Sequence, residues 1–332
     1  MNGRMWAVLL ITTSLMAIGA QATVFTEAES TDWFTANNWT AGVPDANTEA
    51  HIGTTAYPNV SVVITGTANA GRTMVGASGG AGVTGSITIA AGSSLNTWGS
   101  FYNSLEDEDH GFDVGGYSGG NLTLEANASL TMQVGDSMGV GKTDTWAGGF
   151  ATHVIMKPGS AITIGSAGDG WAAFGLGDGN ASQIWEMENA TINGVLFHIG
   201  GTLILKGRGN LHTGGTYRCR TYSDPKGTII KLVGDVPLLS AAGGLTFQGP
   251  RVDVSLCNKP PIGNWVTILK GDASTYWPSM QKDINFIPGT DPNWQIRTVH
   301  PMPSGSVREA QIRYVPEPAT LALLALGGLA AL

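Results

Sequence analysis

One short phrase of strand, tight turn and strand repeats along the chain from Ser86 to Leu211. Its copies read SITIAAGSSL (Ser86–Leu95), NLTLEANASL (Asn121–Leu130), HVIMKPGSAI (His153–Ile162), QIWEMENATI (Gln183–Ile192) and TLILKGRGNL (Thr202–Leu211). Between them runs a second phrase: FDVGG at Phe112, MGVGK at Met138, FGLGD at Phe174 and FHIGG at Phe197. The first copies start about 30 to 35 residues apart, a period that belongs to stacked repeat architectures.

Within a copy, apolar residues alternate with small or polar ones. Leu122, Leu124 and Leu130 share one parity, as do Val154, Met156 and Ile162, so each set faces one side of an extended chain. Gly, Asn, Pro and Ala at the centre suit a turn, and the β-branched residues and glycines disfavour a helix. One such unit cannot form a core, but stacked units can, each covering the apolar row of the last. The expected fold is all-β: a single-stranded, right-handed parallel β-helix with a small C-terminal β cap and apolar helices at both termini. Glu186 stands where Leu124 and Met156 stand, which predicts a bulge in the fourth copy. The fifth copy follows about 19 residues after the fourth, which predicts a short loop between them.

Residues 1–22 read as a secretory signal. Arg4 is followed by an apolar run over Met5–Ile18, and Ala20 and Ala22 form an A-x-A site for signal peptidase. Residues 23–58 then read as an N-terminal cap. Trp33, Asn38, Trp39, Gly42, Pro44 and Ile52 resemble the opening of secreted bacterial β-helix proteins of the autotransporter or adhesin kind. That resemblance implies a plug over the first round, since an uncovered apolar end invites aggregation. The alternative for the tryptophans is a sugar-stacking platform. Residues 59–240 read as the repeats, with a strand at Val60–Ile64, a loop at Gly76–Gly85 and fading periodicity after Thr213. Residues 241–314 read as a meander or small sandwich.

Glycine numbers 48 of 332 residues and charged residues only 13%, as suits a turn-rich extracellular β protein. The net charge of −8 argues against nucleic acid and anionic lipid, which select basic surfaces. Cys219 and Cys257 either pair, which in the chain-entropy model adds about 4 kcal/mol, or remain two thiols. Neither has metal-site spacing.

Candidate chemistry is sparse. Gly76-Ala77-Ser78-Gly79-Gly80 matches the nucleophile-elbow pattern, but a strand rather than a helix follows Ser78. Gly141-Lys142-Thr143 resembles the end of a phosphate loop, without the earlier glycine: Asp136 stands there. Glu106, Asp107, Glu108 and Asp109, with Asp113, form the densest acidic run and are the candidate ligands for Ca²⁺, the one cofactor the sequence leaves open. Asp169 and Asp178 lie in similar glycine-rich turns. His51, His110, His153, His198, His212 and His300 lack metal spacing and read as structural. Arg208, Arg218, Arg220 and Arg251 are available bases, with no acidic row aligned to them. Asn-x-Ser/Thr triplets such as those at Asn121, Asn127 and Asn189 read as strand and turn composition.

The chain ends VPEPATLALLALGGLAAL. Pro316-Glu317-Pro318 followed by the apolar run Ala319–Leu332 resembles the PEP-CTERM sorting signal of exported bacterial proteins. The resemblance implies handling by a membrane-embedded exosortase and a membrane pause on the C-terminal helix, often beside extracellular polysaccharide. The run of about 14 residues falls short of the ~20 that span a bilayer, and the usual Lys/Arg tail does not follow, so the segment 315–332 reads as truncated.

The expected function is that of a non-enzymatic protein of the cell surface, outer membrane or extracellular matrix, adhesive or structural, touching polysaccharide. The alternative is a polysaccharide lyase or glycoside hydrolase on the same scaffold. Three or more carboxylates converging on one face would favour the enzyme; a smooth Thr/Asn/Gly face would favour the scaffold.

Overall fold

A computed structural model describes residues 21–78, 80–98, 110–114, 118–133, 137–140, 151–165, 170–174, 183–212, 217–220, 228–271, 284–299 and 309–316. The described chain is all-β, with large and mostly parallel sheets. Strands fall into three rows that the chain visits in fixed rotation. The first row holds nine strands among the described residues, from Gln21–Val24 and Thr48–Ile52 through Thr73–Val75, His110–Val114 and Ser137–Val140 to Leu245–Gln248. The second row starts with Val60–Ile64, Gly80–Ile89, Ser118–Leu124 and Thr152–Met156. The third starts with Thr67–Ala70, Ser94–Thr97, Ser129–Met132 and Ala161–Ile164. In the longer strands Gln183–Asn193, Gly201–His212 and Thr228–Ala241, one strand bends across both the second and third rows.

Alternation in the sequence becomes columns in the structure. Ile87, Leu122, Val154, Trp185, Leu203, Ile230 and Val252 stack in register, each buried. A parallel column from the third row runs Leu95, Leu130, Ile162, Ile192 and Leu211. Full burial of each such side chain is worth about 1.5–3 kcal/mol, so these columns hold the rounds together.

The fourth copy needs no bulge of its own. Trp185 and Met187 pair with Val154 and Met156, so its frame starts one residue later and Glu186 faces outward beside Ile155. Parity is kept because the corner between Met187 and Ile192 is one residue shorter than that between Leu124 and Leu130. The irregularity appears at the next pairing, between Glu188 and Ala190. The second phrase also drifts. Phe112 and Met138 are in register, but Phe174 pairs with Val140, and Phe197 falls on the outward parity between buried Leu196 and His198.

In six successive rounds the bend from the second to the third row carries one left-handed residue: Gly92, Asn127, Gly159, Asn189, Gly207 and Gly234. Glycine takes this conformation without steric cost, and asparagine is the commonest substitute. Where the first row meets the second, backbones touch: a Cβ on Gly53 would lie 2.5 Å from Gly85 Cα.

At the N-terminal end Trp39 packs edge-on against both Phe25 and Trp33, with centroids 4.9 and 4.8 Å apart. Its indole N–H donates to Trp33 O at 2.8 Å. Buried Asn38 is saturated: its oxygen accepts the N–H groups of Glu29 and Ser30, and its amide donates to Ser30 Oγ and Asp32 O. The Asp32–Val63 bridge lays this segment along Val60–Ile64, the first strand of the second row.

Two expectations change toward the C-terminus and in the loop before Ile87. The strand there already starts at Gly80. Leu245–Gln248, Arg251–Cys257 and Val266–Gly271 continue the parallel rows past residue 240. The local sequence hides this, since the column of Leu211 continues with Ala241 and Gly271 in place of large residues. Only then does direction reverse: Glu309–Tyr314 pairs antiparallel with both Val266–Gly271 and Trp294–Val299.

Candidate functional site

The outward side of the third row forms two straight columns of small polar groups. One runs Thr67, Ser94, Ser129, Ala161, Thr191, Asn210 and Ser240. The other runs Asn69, Asn96, Thr131, Thr163, Asn193 and His212. Strand alternation places them here, because their neighbours Leu95, Leu130, Ile162 and Ile192 turn inward. Rungs bond sideways: Ser94 Oγ to Thr67 Oγ1 at 3.1 Å, Asn96 Nδ2 to Asn69 Oδ1 at 3.3 Å, and Asn193 Nδ2 to Thr163 Oγ1 at 2.9 Å. These bonds fix the side chains and leave further donor and acceptor capacity pointing outward. Rows repeat every ~4.8 Å along the stack and, within a strand, alternate residues lie ~6.6 Å apart. The result is a lattice of hydroxyl and amide groups, interrupted by Ala161 and ended by His212, with no Asp, Glu, Lys or Arg among these positions.

No known family, curated protein or solved structure matches the chain. The functional reading therefore rests on the geometry of its own residues.

The outward side of the second row differs. Glu186 accepts from His153 Nε2 at 2.9 Å and from Lys206 Nζ, joining three successive rounds. Burial opposes ionisation of Glu186, but Lys206 and then His153 outweigh it and hold its carboxyl below the usual range. Lys157 pairs with Glu125 at 2.8 Å, and Lys231 with Asp253 at 3.6 Å. Each of these carboxylates thus has a cationic partner.

Inside the first row, His198 and Tyr217 meet across adjacent rounds. Nε2 of His198 donates to Gly201 O at 3.2 Å, which leaves Nδ1 to accept the Tyr217 hydroxyl at 2.8 Å. Burial holds the imidazole down at about 4 and drives the Tyr217 hydroxyl well above its usual 10. Both groups are sealed in the core, so the pair is structural, as expected for the histidines. Its only sequence signal is the Phe-His alternation of the fourth phrase.

No disulfide joins Cys219 and Cys257. Cys219 stacks on His198 inside the first row, whereas Cys257 ends a strand of the second row and donates to Asn258 O at 3.5 Å. Cys257 instead lines a cavity of about 340 Å³ with Asp253, Lys259, Asp291 and Trp294. Trp33 and Trp39 are buried, so the sugar-stacking alternative for them falls away. Ser78 is exposed in a bend before a strand, the wrong context for an elbow. Asp113 lies in strand His110–Val114 rather than in a loop.

Glu106, Asp107, Glu108, Asp109, Gly141-Lys142-Thr143, Asp169 and Asp178 lie outside the described residues. So do Ala20, Glu317, Pro318 and the apolar runs expected to be helical at both ends. Pro316 is described and buried, just after strand Glu309–Tyr314. Ala22 sits within strand Gln21–Val24, opposite Glu49. Among the described residues no helix is long and apolar enough to cross a membrane, and no group of three or more His, Cys, Asp or Glu is gathered for a metal.

Proposed function

We propose that this chain is an exported parallel β-helix that binds polysaccharide along its uncharged Ser/Thr/Asn face, as an adhesive or structural protein of a bacterial surface or matrix. The reading of a β-helix is supported by the three-row rotation and by the in-register columns of Leu, Ile and Val. Parallel crossovers are right-handed in nearly all sheets, which favours a right-handed coil. The observation that carries the function is the paired polar columns: sugar hydroxyls both donate and accept, and a flat lattice of hydroxyls and amides answers them without charge. A face of matched rows suits an extended polymer rather than a single small molecule.

Export is supported by the A-x-A site at Ala20 and Ala22, and surface sorting by Pro316, Glu317 and Pro318 before the terminal apolar run. On this reading signal peptidase and an exosortase process the chain. Cleavage of glycan would require carboxylates facing one another across a groove. Among the described residues, Glu125, Glu186 and Asp253 of the second row are paired with cations instead.

The test is sedimentation of the protein with insoluble polysaccharides, comparing the native chain with Thr131→Val/Thr163→Val. Removal of two hydroxyls from the face should lower the bound fraction severalfold while unfolding stays unchanged. Release of soluble oligosaccharide in the same assay, with or without Ca²⁺, would overturn the non-enzymatic reading.

A further inference from the structure

We infer that the C-terminal antiparallel sheet carries a carboxylate-binding site for an acidic polysaccharide, formed by Arg297 and Arg313 held against Trp265. This rests on the proposed polysaccharide face and names the charge class of its ligand.

Arg297 pairs across the sheet with Gln311, and Arg313 with Gln295, so the two arginines are diagonal neighbours on one face. Their guanidinium carbons lie 4.1 and 4.4 Å from the centroid of the Trp265 ring. Both stack on one indole, which fixes the planes of two flexible side chains at low entropic cost. What holds them otherwise is neutral. Arg297 donates from Nε and Nη2 to Gln311 Oε1, at 2.9 and 2.7 Å, and Arg313 donates from Nε to Gln295 Oε1 at 2.8 Å. Gln311 is itself oriented, since its amide nitrogen donates to Glu309 Oε2 at 2.7 Å and Thr267 Oγ1 at 3.3 Å. Glu309 therefore acts one bond away, aiming the amide oxygen at Arg297 rather than pairing with it.

Among the described residues neither arginine has a carboxylate partner, and both Nη groups of Arg313 and Nη1 of Arg297 keep donors without an acceptor there. Elsewhere on the molecule Lys157, Lys206 and Lys231 each have an acid. Two adjacent unneutralised guanidiniums repel one another, and an anion accepting from both relieves this. A carboxylate matches the planar fork.

Position identifies the anion's carrier. Val266–Gly271 pairs on one edge with Thr228–Ala241 and on the other with Glu309–Tyr314. Ser240 stands beside Lys270, and Lys270 beside Glu309, so the polar columns lead directly onto the arginine sheet. A glycan lying along those columns reaches the arginines at its end. The net charge of −8 disfavours densely charged polyanions such as nucleic acid, which depend on long-range attraction. A uronate polymer, with one carboxylate per sugar and hydroxyls between, fits both halves of the face.

The experiment titrates the full chain with an oligogalacturonate and with a neutral cello-oligosaccharide of equal length. The native protein should bind the uronate at least tenfold more tightly. Arg297→Gln/Arg313→Gln should bind the two alike, and Arg297→Lys/Arg313→Lys should keep part of the preference with native unfolding behaviour. Equal binding by the native chain, or a preference that survives the glutamine variant, overturns the site. Equally tight binding of single-stranded DNA or of phosphatidylglycerol vesicles also overturns it. Neutral binding that ignores Thr131→Val/Thr163→Val would sink the polar face alone, leaving the arginine site standing on the uronate difference.

Discussion

The carboxamide oxygen of Asn189 lies over Gly207 in the next round, where a Cβ would come within 2.6 Å of it. The same oxygen accepts the N–H of Arg208 at 2.9 Å. Asn127 covers Gly159 in the same manner two rounds earlier. Asparagine and glycine therefore alternate up this corner because each carboxamide needs a bare Cα above it. Gly207 also has φ of +75°. Gly207→Ala should cost about 2 kcal/mol or more, from left-handed strain and the clash together. Asn189→Gly in the same chain should return part of that loss, measured by urea unfolding; strictly additive losses would refute the pairing.

Trp39 links Phe25 and Trp33 and closes the end of the stack. Trp39→Ala should destabilise the protein by about 3–5 kcal/mol. It should also expose the first round's apolar edge, so light scattering should show self-association at concentrations where the native chain shows none.

Acid should weaken the fold through His198. Burial lowers its pKa from 6.5 to about 4, so the unfolded chain takes up the proton first as pH falls. Stability is then complete above about pH 6.5 and drains away toward pH 4, by about 3 kcal/mol in all. Urea midpoints across this range should follow that curve. His198→Leu should flatten it, at the cost of the hydrogen bond from the Tyr217 hydroxyl.

The cysteines should react unequally. Burial, then the nearby Asp235 charge, pushes the Cys257 thiol up to about 11. Iodoacetamide at pH 8 should modify it at least tenfold more slowly than a free cysteine, because the thiolate is scarce. Cys219, stacked inside the first row, should label only after unfolding. Mass spectrometry of the native protein showing an intact disulfide would contradict both statements.

Much of this architecture could be read from residue order. Leu122, Leu124 and Leu130 announce the columns, because period two fixes facing wherever one side is buried. Trp33, Asn38 and Trp39 announced a plug, and the rings are indeed buried at the first strands. What escaped was frame. The Glu186 reading assumed equal corners, whereas the bend after Met187 is a residue short. The rows beyond residue 240 escaped because Ala241 and Gly271 fill columns with little apolar signal. The polar face was visible only as what the apolar residues leave over, and the arginine pair not at all. Arg297 and Arg313 meet across two consecutive antiparallel strands, but Trp265 comes from just before Val266–Gly271, two strands earlier, and no local pattern encodes that meeting.

The reversed strand Glu309–Tyr314 also bears on how such a molecule could change over generations. Glu309–Tyr314 runs against the parallel rows, and Trp294–Val299, antiparallel to it, forms the outermost strand of that sheet. At the other end the rings of Phe25, Trp33 and Trp39 pack together. Duplicating a single internal round would lengthen the polar lattice by about 4.8 Å and leave both ends untouched. The protein is in that sense a ruler, with its graduation set by the hydrogen-bond spacing between strands.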